Sequence, residues 1–201
     1  RAFCAGHDLR EMQAARDAAD GGEAAFAALF AHCATMMQKI PALPQPVIAQ
    51  VQGIATAAGC QLAASCDLIV AATDARFGVN GVNIGLFCST PMVALTRKVA
   101  PAVAFEMLTT GEFMDAPHAQ AVGLVNRVAP IAELPDTALA LARSIASKLP
   151  AAIRLGKAAF HTQTGLDLPS AYQTTGKTMV QNLMRDDTAE GMSAFIEKRT
   201  P

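Results

Sequence analysis

The sequence predicts an α/β fold, in which buried parallel strands alternate with helices. Two apolar runs rich in β-branched residues, 47–51 and 68–72, have the composition of buried strands, and the small-residue segment 57–65 between them is predicted as a helix. Strand, helix and strand in this order imply a right-handed crossover and a parallel or mixed sheet. Hydrophobic residues make up 52% of the 201 residues and charged residues 16%, so the chain can build a core.

Two helices are predicted ahead of the first strand. Asp8 follows a turn at residues 4–7 and can cap a short helix, with Glu11 placed for a capping box. After two glycines, apolar residues recur every three or four positions along a second helix. Its apolar face is formed by Phe26, Leu29, Phe30, Cys33, Met36, Met37 and Ile40, and Pro41, Pro44 and Pro46 are expected to end it.

The rest of the chain is predicted to be turns and then helices. Glycines and asparagines crowd residues 78–85, which indicates turns. From Pro91 onward the pattern is mainly helical, with one short strand near residues 124–128. Because no linker is visible, we predict one domain, with a core over 1–135 and a C-terminal helical region over 136–201.

Composition argues against several classes of function. The net charge of -1 gives no reason to expect a nucleic-acid partner. Polar residues interrupt the most apolar stretch, 46–73, so it is expected to be core rather than a membrane span. The four histidines lie far apart and the five cysteines form no CxxC pair. We therefore expect no metal, no disulfide framework, and reduced thiols in the cytoplasm.

Two glycine-containing turns, residues 2–9 and 53–62, carry the strongest functional signal. Each places small residues just before a helix, where free N–H groups and the positive end of the helix dipole attract an anion. One N–H from each turn could converge on one oxygen and stabilise an oxyanion. The pattern alone leaves a structural alternative open, because small-residue helices also occur wherever a helix packs closely on a sheet.

Several blocks of the chain, in order, resemble the crotonase (enoyl-CoA hydratase/isomerase) superfamily. They are residues 3–9 (FCAGHDL), 46–49 (PVIA), 57–62 (AAGCQL), 66–71 (CDLIVA), 110–126 and 190–199. Within that superfamily the 7–9, 57–67 and 85–91 segments are similar to the enoyl-CoA hydratase domain-containing proteins. The resemblance implies a β-β-α spiral of the ClpP/crotonase type, a C-terminal helical trimerisation region, and a homotrimer or a hexamer. It also implies that roughly the first quarter of the domain precedes Arg1.

The resemblance assigns roles to individual residues. The backbone N–H groups of His7 and Ala58 would form an oxyanion hole for the carbonyl of an acyl-CoA thioester. It also implies a set of residues that contact the acyl-CoA at the thioester, the pantetheine arm or the CoA phosphates, some of them reaching the CoA of a neighbouring subunit. These are Arg1, Ala5, Asp8, Leu9, Gly59, Phe195 and Lys198. Coenzyme A would belong to the substrate, and no separate cofactor is implied. For Lys198, a solvated tail residue is an equal alternative.

The sequence departs from the superfamily at both glutamates that its hydratases use. Gln61 and Gly81 occupy those positions, and no Asp or Glu occurs between Asp74 and Glu112. A hydratase needs carboxylates to activate water and exchange a proton, so efficient hydration is not expected. Ser89 stands at a position where some superfamily members carry a working aspartate, although it could instead cap the next helix. The other candidates are the Cys88 thiol, the His7 ring and two later acids, Glu112 and Asp115.

Two functions follow from these observations. The first is an enzyme of the enoyl-CoA hydratase/isomerase class that stabilises a thioester enolate. The second is a catalytically degenerate acyl-CoA binder or regulatory assembly partner. Gln61 and Gly81 favour the second, whereas the two small-residue turns favour thioester binding under either.

Overall fold

The computed structural model describes residues 2–200. In this part of the chain the β-strands are Ala2–Cys4 (β1), Ile48–Val51 (β2), Ile54–Thr56 (β3), Leu68–Ala72 (β4), Arg76–Gly78 (β5), Met114–Asp115 (β6) and Arg127–Ala129 (β7). The α-helices are Leu9–Ala15 (α1), Glu23–Ala42 (α2), Ala58–Ser65 (α3), Ser89–Leu95 (α4), Pro101–Thr110 (α5), Ala116–Ala121 (α6), Leu134–Ala146 (α7), Pro150–Gln163 (α8), Leu168–Leu183 (α9) and Asp186–Ile196 (α10). A 3-10 helix covers Asn80–Ile84.

The described residues form two compact units. The first comprises residues 2–40 and 47–140 and holds the seven strands named above. The second comprises residues 41–46 and 141–200 and is helical.

The strands of the first unit form two sheets. One sheet has the order β2-β4-β7, and both of its pairings are parallel, with Ile48 opposite Leu68 and Val70 opposite Arg127. The other has the order β1-β3-β5-β6, with parallel pairings except for the antiparallel β5–β6 pair. The predicted α/β fold with parallel pairing is confirmed.

Strands β2 and β4 form the centre of the core of the first unit. The side chains of Val51, Ile69 and Val70 are fully buried, as expected for strands covered on both faces. At the start of β2, the Val47 N–H donates to the Asp67 carboxylate at 2.7 Å. Asp67 therefore has a structural role, because it holds the start of β2.

Helix α2 buries the predicted apolar stripe only in part. Cys33, Met37 and Ile40 are buried, whereas Met36 is 42% exposed. Pro41 does not end the helix directly, because it lies in the last turn and the helix continues to Ala42. The missing N–H of a proline costs a helix one hydrogen bond.

The structure corrects the predicted strands in two ways. β1 and β3 are three-residue strands within the two predicted glycine turns, and β5 is a three-residue strand where no strand was predicted. The strand expected near 124–128 begins only at Arg127. Leu124 and Val125 are instead held by hydrogen bonds from their N–H groups to the Ala119 carbonyl, which close the end of α6.

In the second unit, α8 packs on α9, and the buried Lys157 ammonium donates to the Gln45 carbonyl at 2.8 Å. Many apolar side chains of α9 and α10 stay exposed, among them Tyr172, Met184 and Phe195. None of the helices within residues 2–200 combines the length and hydropathy needed to span a bilayer.

Candidate active site

The turn between β1 and α1 carries the first proposed oxyanion donor. Gly6 has a φ of 93°, in the region that favours glycine. Asp8 caps α1 as predicted, but its carboxylate accepts from the Arg10 N–H at 2.8 Å rather than from the N–H of Glu11. Within residues 2–200 the His7 N–H has no backbone or side-chain acceptor, so it is free for a ligand.

The turn before α3 carries the second donor. Ala57 has a φ of 51° and a ψ of -122°, a conformation rare for a residue with a side chain. Its N–H donates to the Gly78 carbonyl at 3.0 Å, and its carbonyl accepts from the Gln61 N–H at 3.0 Å. Helix α3 starts at Ala58, whose N–H finds no acceptor among the described residues.

The two turns pack directly against each other. A Cβ atom added to Gly6 would lie 3.2 Å from the Ala58 nitrogen, and one added to Gly59 would lie 2.0 Å from the Cys4 carbonyl oxygen. Only glycine fits at either place without a shift of backbone. This contact places the residue before His7 directly beside the Ala58 nitrogen.

Gln61, which the resemblance places at the first glutamate position, is buried with an unsatisfied oxygen. Its side chain is 5% exposed, and its Oε1 has no hydrogen-bond donor among the described residues. The nearby Ser65 hydroxyl donates to the Gln61 backbone carbonyl at 2.8 Å and lies 3.6 Å from the Met37 sulfur. A buried acceptor without a donor is costly unless a ligand or water satisfies it.

The His7 ring is held at the same turn. It packs edge-on against Phe30, with ring centroids 5.7 Å apart. Its Nε2 atom is buried and lacks a hydrogen-bond partner within residues 2–200. The Nε2 edge of the ring therefore faces neither solvent nor a polar partner in the described chain.

Gly81, which the resemblance places at the second glutamate position, has no room for a side chain. A Cβ there would lie 2.2 Å from the Leu86 carbonyl oxygen and 2.9 Å from the Cys88 sulfur. The Leu86 N–H donates to the Gly81 carbonyl at 2.9 Å, which holds the loop in this position. This loop conformation therefore excludes a glutamate side chain at position 81.

Two buried thiols, those of Cys60 and Cys88, have raised pKa values. Burial raises the pKa of Cys60 to about 12, although the Gly78 N–H opposes the change. Burial also raises the pKa of Cys88, opposed by the N–H of Gly81. A nucleophilic thiol needs a lowered pKa, so the structure argues against Cys88 as a nucleophile.

The asparagines of the loop are structural. Asn80 pairs with the Thr56 hydroxyl and donates from its amide to the Gly111 carbonyl at 2.7 Å. Asn83 donates to the same carbonyl at 3.3 Å. These bonds tie β3 to the end of α5, occupy both ends of the Asn80 amide and hold the Asn83 amide nitrogen.

The remaining acid and hydroxyl candidates lie on the surface. Ser89 does not cap α4: the helix begins at Ser89 itself, Cys88 takes the cap position, and the Ser89 hydroxyl bonds the Phe87 carbonyl. Asp115 caps α6 by accepting from the His118 N–H at 2.8 Å. Glu112 is exposed.

The residues expected along the CoA arm are mostly exposed. In the first unit these are Ala5, Asp8 and Leu9, the last 55% exposed. Arg1 lies outside the described residues. In the second unit, Phe195 is 84% exposed and Lys198 has a φ of 56° just beyond α10. Their contacts with CoA remain predictions.

Two contributors to the site had no clear signal in the sequence. Thr56 lies on β3, a strand that was not predicted, and Ala57 supplies the strained turn although alanine rarely adopts it. The pairing of Gly6 with Ala57 and Ala58 becomes visible only in three dimensions. Residues 2–200 contain no group of three or more His, Cys, Asp or Glu residues arranged to hold a metal.

Comparison with solved structures shows the same fold in related proteins. The chain superposes on the crystal structure of an enoyl-CoA hydratase from Mycobacterium smegmatis with a TM-score of 0.94 and 53% identity, covering 100% of this chain and 76% of that one. It superposes on human enoyl-CoA hydratase domain-containing protein 3 with a TM-score of 0.91 and 47% identity, covering 99% and 77%.

Comparison of sequences finds relatives of the same kind as the comparison of structures. The mitochondrial enoyl-CoA hydratase domain-containing protein 3 of Homo sapiens is 47% identical over 199 residues, which are 99% of this chain and 64% of that protein. The chain thus spans less than two thirds of this relative. A putative enoyl-CoA hydratase of Thermus thermophilus is 33% identical over 204 residues, with 78% of it covered. The family model described as Enoyl-CoA hydratase/isomerase matches residues 1–201. The chain has the crotonase fold and belongs to the enoyl-CoA hydratase/isomerase family.

Proposed function

We propose that this protein binds an acyl-CoA thioester and polarises its carbonyl toward an enolate between the N–H groups of His7 and Ala58. The observation that carries the proposal is the contact of the two glycine turns. Gly6 and Gly59 let the two turns approach closely, and this supports two N–H groups without acceptors, one on the residue after Gly6 and one at the start of α3, acting on one oxygen. Preorganised donors of this kind stabilise developing negative charge on oxygen.

The chemistry beyond polarisation is limited by the two glutamate positions. Gln61 can orient a ligand by hydrogen bonds but has no proton to exchange at neutral pH. Gly81 is covered by the Leu86 carbonyl. Losing one general acid or base typically lowers a rate about 10²–10⁴-fold. We therefore expect slow or no hydration of a simple enoyl-CoA.

These same positions favour a second candidate, a catalytically degenerate binder of acyl-CoA or a regulatory assembly partner. Both candidates require thioester binding and differ in turnover. Following loss of the enoyl absorbance of crotonyl-CoA separates them, because only the enzyme consumes it.

The binding test has two parts. Calorimetry compares the affinity for acyl-CoA with that for free CoA. Infrared difference spectroscopy with a ¹³C-labelled carbonyl compares the thioester carbonyl band of the bound and the free ligand. We expect tighter binding of the thioester and a shift of its carbonyl band to lower frequency, since two donors polarise the bond. Binding without a band shift would exclude the oxyanion assignment. Absence of binding would exclude the whole proposal.

A matched pair of variants tests the turn contact. Gly6→Ala adds a methyl group that would lie 3.2 Å from the Ala58 nitrogen, whereas Gly21→Ala adds one with no atom within 4 Å. Both glycines have a positive φ, 93° for Gly6 and 66° for Gly21, so both variants carry backbone strain. We expect Gly6→Ala to weaken acyl-CoA binding about tenfold and Gly21→Ala to leave it at the wild-type value. Equal effects would contradict a role for the contact.

We also propose a homotrimer or hexamer, no separate cofactor, and a cytoplasmic location. The exposed apolar side chains of α9 and α10 support assembly, and the five free cysteines are consistent with a reducing compartment. Light scattering of the purified protein tests the assembly. Imaging of the tagged full-length protein tests the location, for which the human relative's name says mitochondrial.

A further inference from the structure

The end of α10 has the hydrogen bonds of a Schellman motif but carries a lysine where that motif usually has glycine. The Lys198 N–H donates to the Phe195 carbonyl at 3.2 Å, and the Arg199 N–H donates to the Ala194 carbonyl at 2.9 Å. Lys198 has a φ of 56°, in the left-handed region, where a residue with a Cβ atom is less stable than glycine. Strained residues of this kind cluster at sites that hold a ligand.

A network of ion pairs holds the chain in this conformation. The Arg199 guanidinium donates to both oxygens of the Glu190 carboxylate, at 2.5 and 3.2 Å, and its Nε donates to the Glu197 carboxylate at 2.6 Å. We call these three residues the arginine clasp. A single exposed ion pair contributes little, but a bidentate arginine within a network of several charges contributes more. Because Glu190 lies within α10 and Arg199 lies beyond its end, the clasp fastens the residues that follow the helix to the helix itself.

The clasp also leaves the Lys198 ammonium without a carboxylate. Glu197, its neighbour in sequence, and Glu190 are both bound to Arg199, and within residues 2–200 Lys198 forms no ion pair. The lysine is exposed, as is the nearby Phe195 ring. A compact, unpaired ammonium on a fixed backbone is suited to a phosphate group. The acyl-CoA ligand proposed above carries such phosphates on its CoA part.

We infer that Arg199 is a positioning residue, which holds the Lys198 ammonium in place for a phosphate of the bound acyl-CoA. It acts in two ways, by fixing the left-handed backbone at Lys198 and by binding the two carboxylates that would otherwise neutralise the ammonium. The resemblance implied a contact between Lys198 and CoA but assigned no role to Arg199 or Glu190. The ligand of this inference rests on the proposed function, whereas the clasp is seen in the contacts of the chain.

The experiment compares two ligands that share the thioester and the pantetheine arm. Butyryl-CoA carries the nucleotide and its phosphates, and S-butyryl-pantetheine lacks them. Calorimetry gives the ratio of the two affinities for the wild type, Lys198→Ala, Arg199→Ala and the double variant. The matched control is Arg185→Ala, which removes another exposed arginine, paired with Asp187 at 3.9 Å at the start of α10. Thermal midpoints are measured for every protein.

We expect the wild type to prefer butyryl-CoA and Lys198→Ala to reduce this preference about fivefold. Arg199→Ala should reduce it similarly, although it leaves the ammonium in the chain. The double variant should lose no more than Lys198→Ala, because Arg199 acts through Lys198. Arg185→Ala should keep the wild-type ratio.

Lys198→Gly separates positioning from stability. Glycine relieves the left-handed strain, so this variant should unfold at a higher temperature than the wild type. It should nevertheless lose the preference for butyryl-CoA as Lys198→Ala does, because it lacks the ammonium. A purely structural role of the clasp would predict that the ratio of affinities follows the thermal midpoint instead.

The inference is overturned if both ligands bind the wild type and Arg199→Ala keeps the wild-type ratio, or if the losses in the double variant add independently. It is also overturned if Arg199→Ala weakens both ligands equally, since the clasp would then support the fold alone. If neither ligand binds the wild type, the proposed function itself fails and the inference falls with it.

Discussion

The Cα atom of Gly59 faces the carbonyl of Cys4 so closely that a Cβ atom on Gly59 would lie 2.0 Å from the Cys4 oxygen. Helix α3 and strand β1 therefore meet backbone to backbone. Neither atom in this contact belongs to a flexible side chain that could move aside. The geometry of the proposed oxyanion hole depends on this approach.

Replacing Gly59 tests the contact. Gly59→Ala must displace β1 or α3, and we expect it to lower the free energy of unfolding by about 1–3 kcal/mol and to abolish acyl-CoA binding. Urea unfolding and calorimetry measure the two effects. Gly156→Ala is the control: it lies in a helix with open space around it, and it should raise stability slightly. Unchanged affinity of Gly59→Ala would contradict the assignment of this turn.

Ala57 offers a test of backbone strain. Its φ of 51° and ψ of -122° cost a residue with a Cβ atom about 1–3 kcal/mol. Ala57→Gly should therefore raise the free energy of unfolding by about 1 kcal/mol. The exposed Ala140→Gly in α7 should lower it by a similar amount, because glycine weakens a helix interior. A loss of stability in Ala57→Gly would mean that the turn is unstrained.

Restoring both family glutamates should not restore hydration. In Gly81→Glu the new Cβ would meet the Leu86 carbonyl, so the loop must move or the side chain cannot enter the site. We expect Gln61→Glu with Gly81→Glu to leave crotonyl-CoA unconsumed and to unfold at lower urea than Gln61→Glu alone. The assay is loss of enoyl absorbance. Turnover by the double variant would show that the loop accommodates a glutamate.

Acid should weaken the start of α2. The N–H groups of Ala24 and Gly22 donate to the Asp20 carboxylate and hold its pKa below the ordinary value. Because the folded pKa lies below the unfolded one, the stabilisation is complete above about pH 4 and is lost as the pH falls through the folded pKa. Asp20→Ala should flatten the fall of the thermal midpoint in this range. The exposed Asp17→Ala should keep the wild-type slope; a wild-type slope in Asp20→Ala would contradict the linkage.

The central fold could be predicted because its strands and helices carry strong patterns. β2 and β4 are apolar and β-branched, and the glycine and alanine residues of 57–60 mark a closely packed helix start. The strands β1, β3 and β5 could not be predicted. Three residues are too few to show an alternation of apolar and polar side chains, and these strands form only by pairing with segments distant in sequence.

The site could be predicted only where it depends on local backbone. The His7 and Ala58 turns have local signals in their glycines and alanines. The covering of Gly81 by Leu86, and the packing of His7 on Phe30, depend on how loops and helices approach in space. The helix cap expected from Ser89 failed because the chain turns one residue earlier, at Cys88.

The parallel pairings of the first unit also bear on how the protein folds. Ala2 pairs with Ile54, and Val70 pairs with Arg127, so each ladder closes a long stretch of chain. Helices α8 and α9 of the second unit, by contrast, are neighbours in sequence and in space. Contacts between distant residues form slowly because the loop entropy is lost before the contact stabilises the chain. We expect the second unit to acquire its helices early and the strands that position the thioester site to be the slow, rate-determining step of folding.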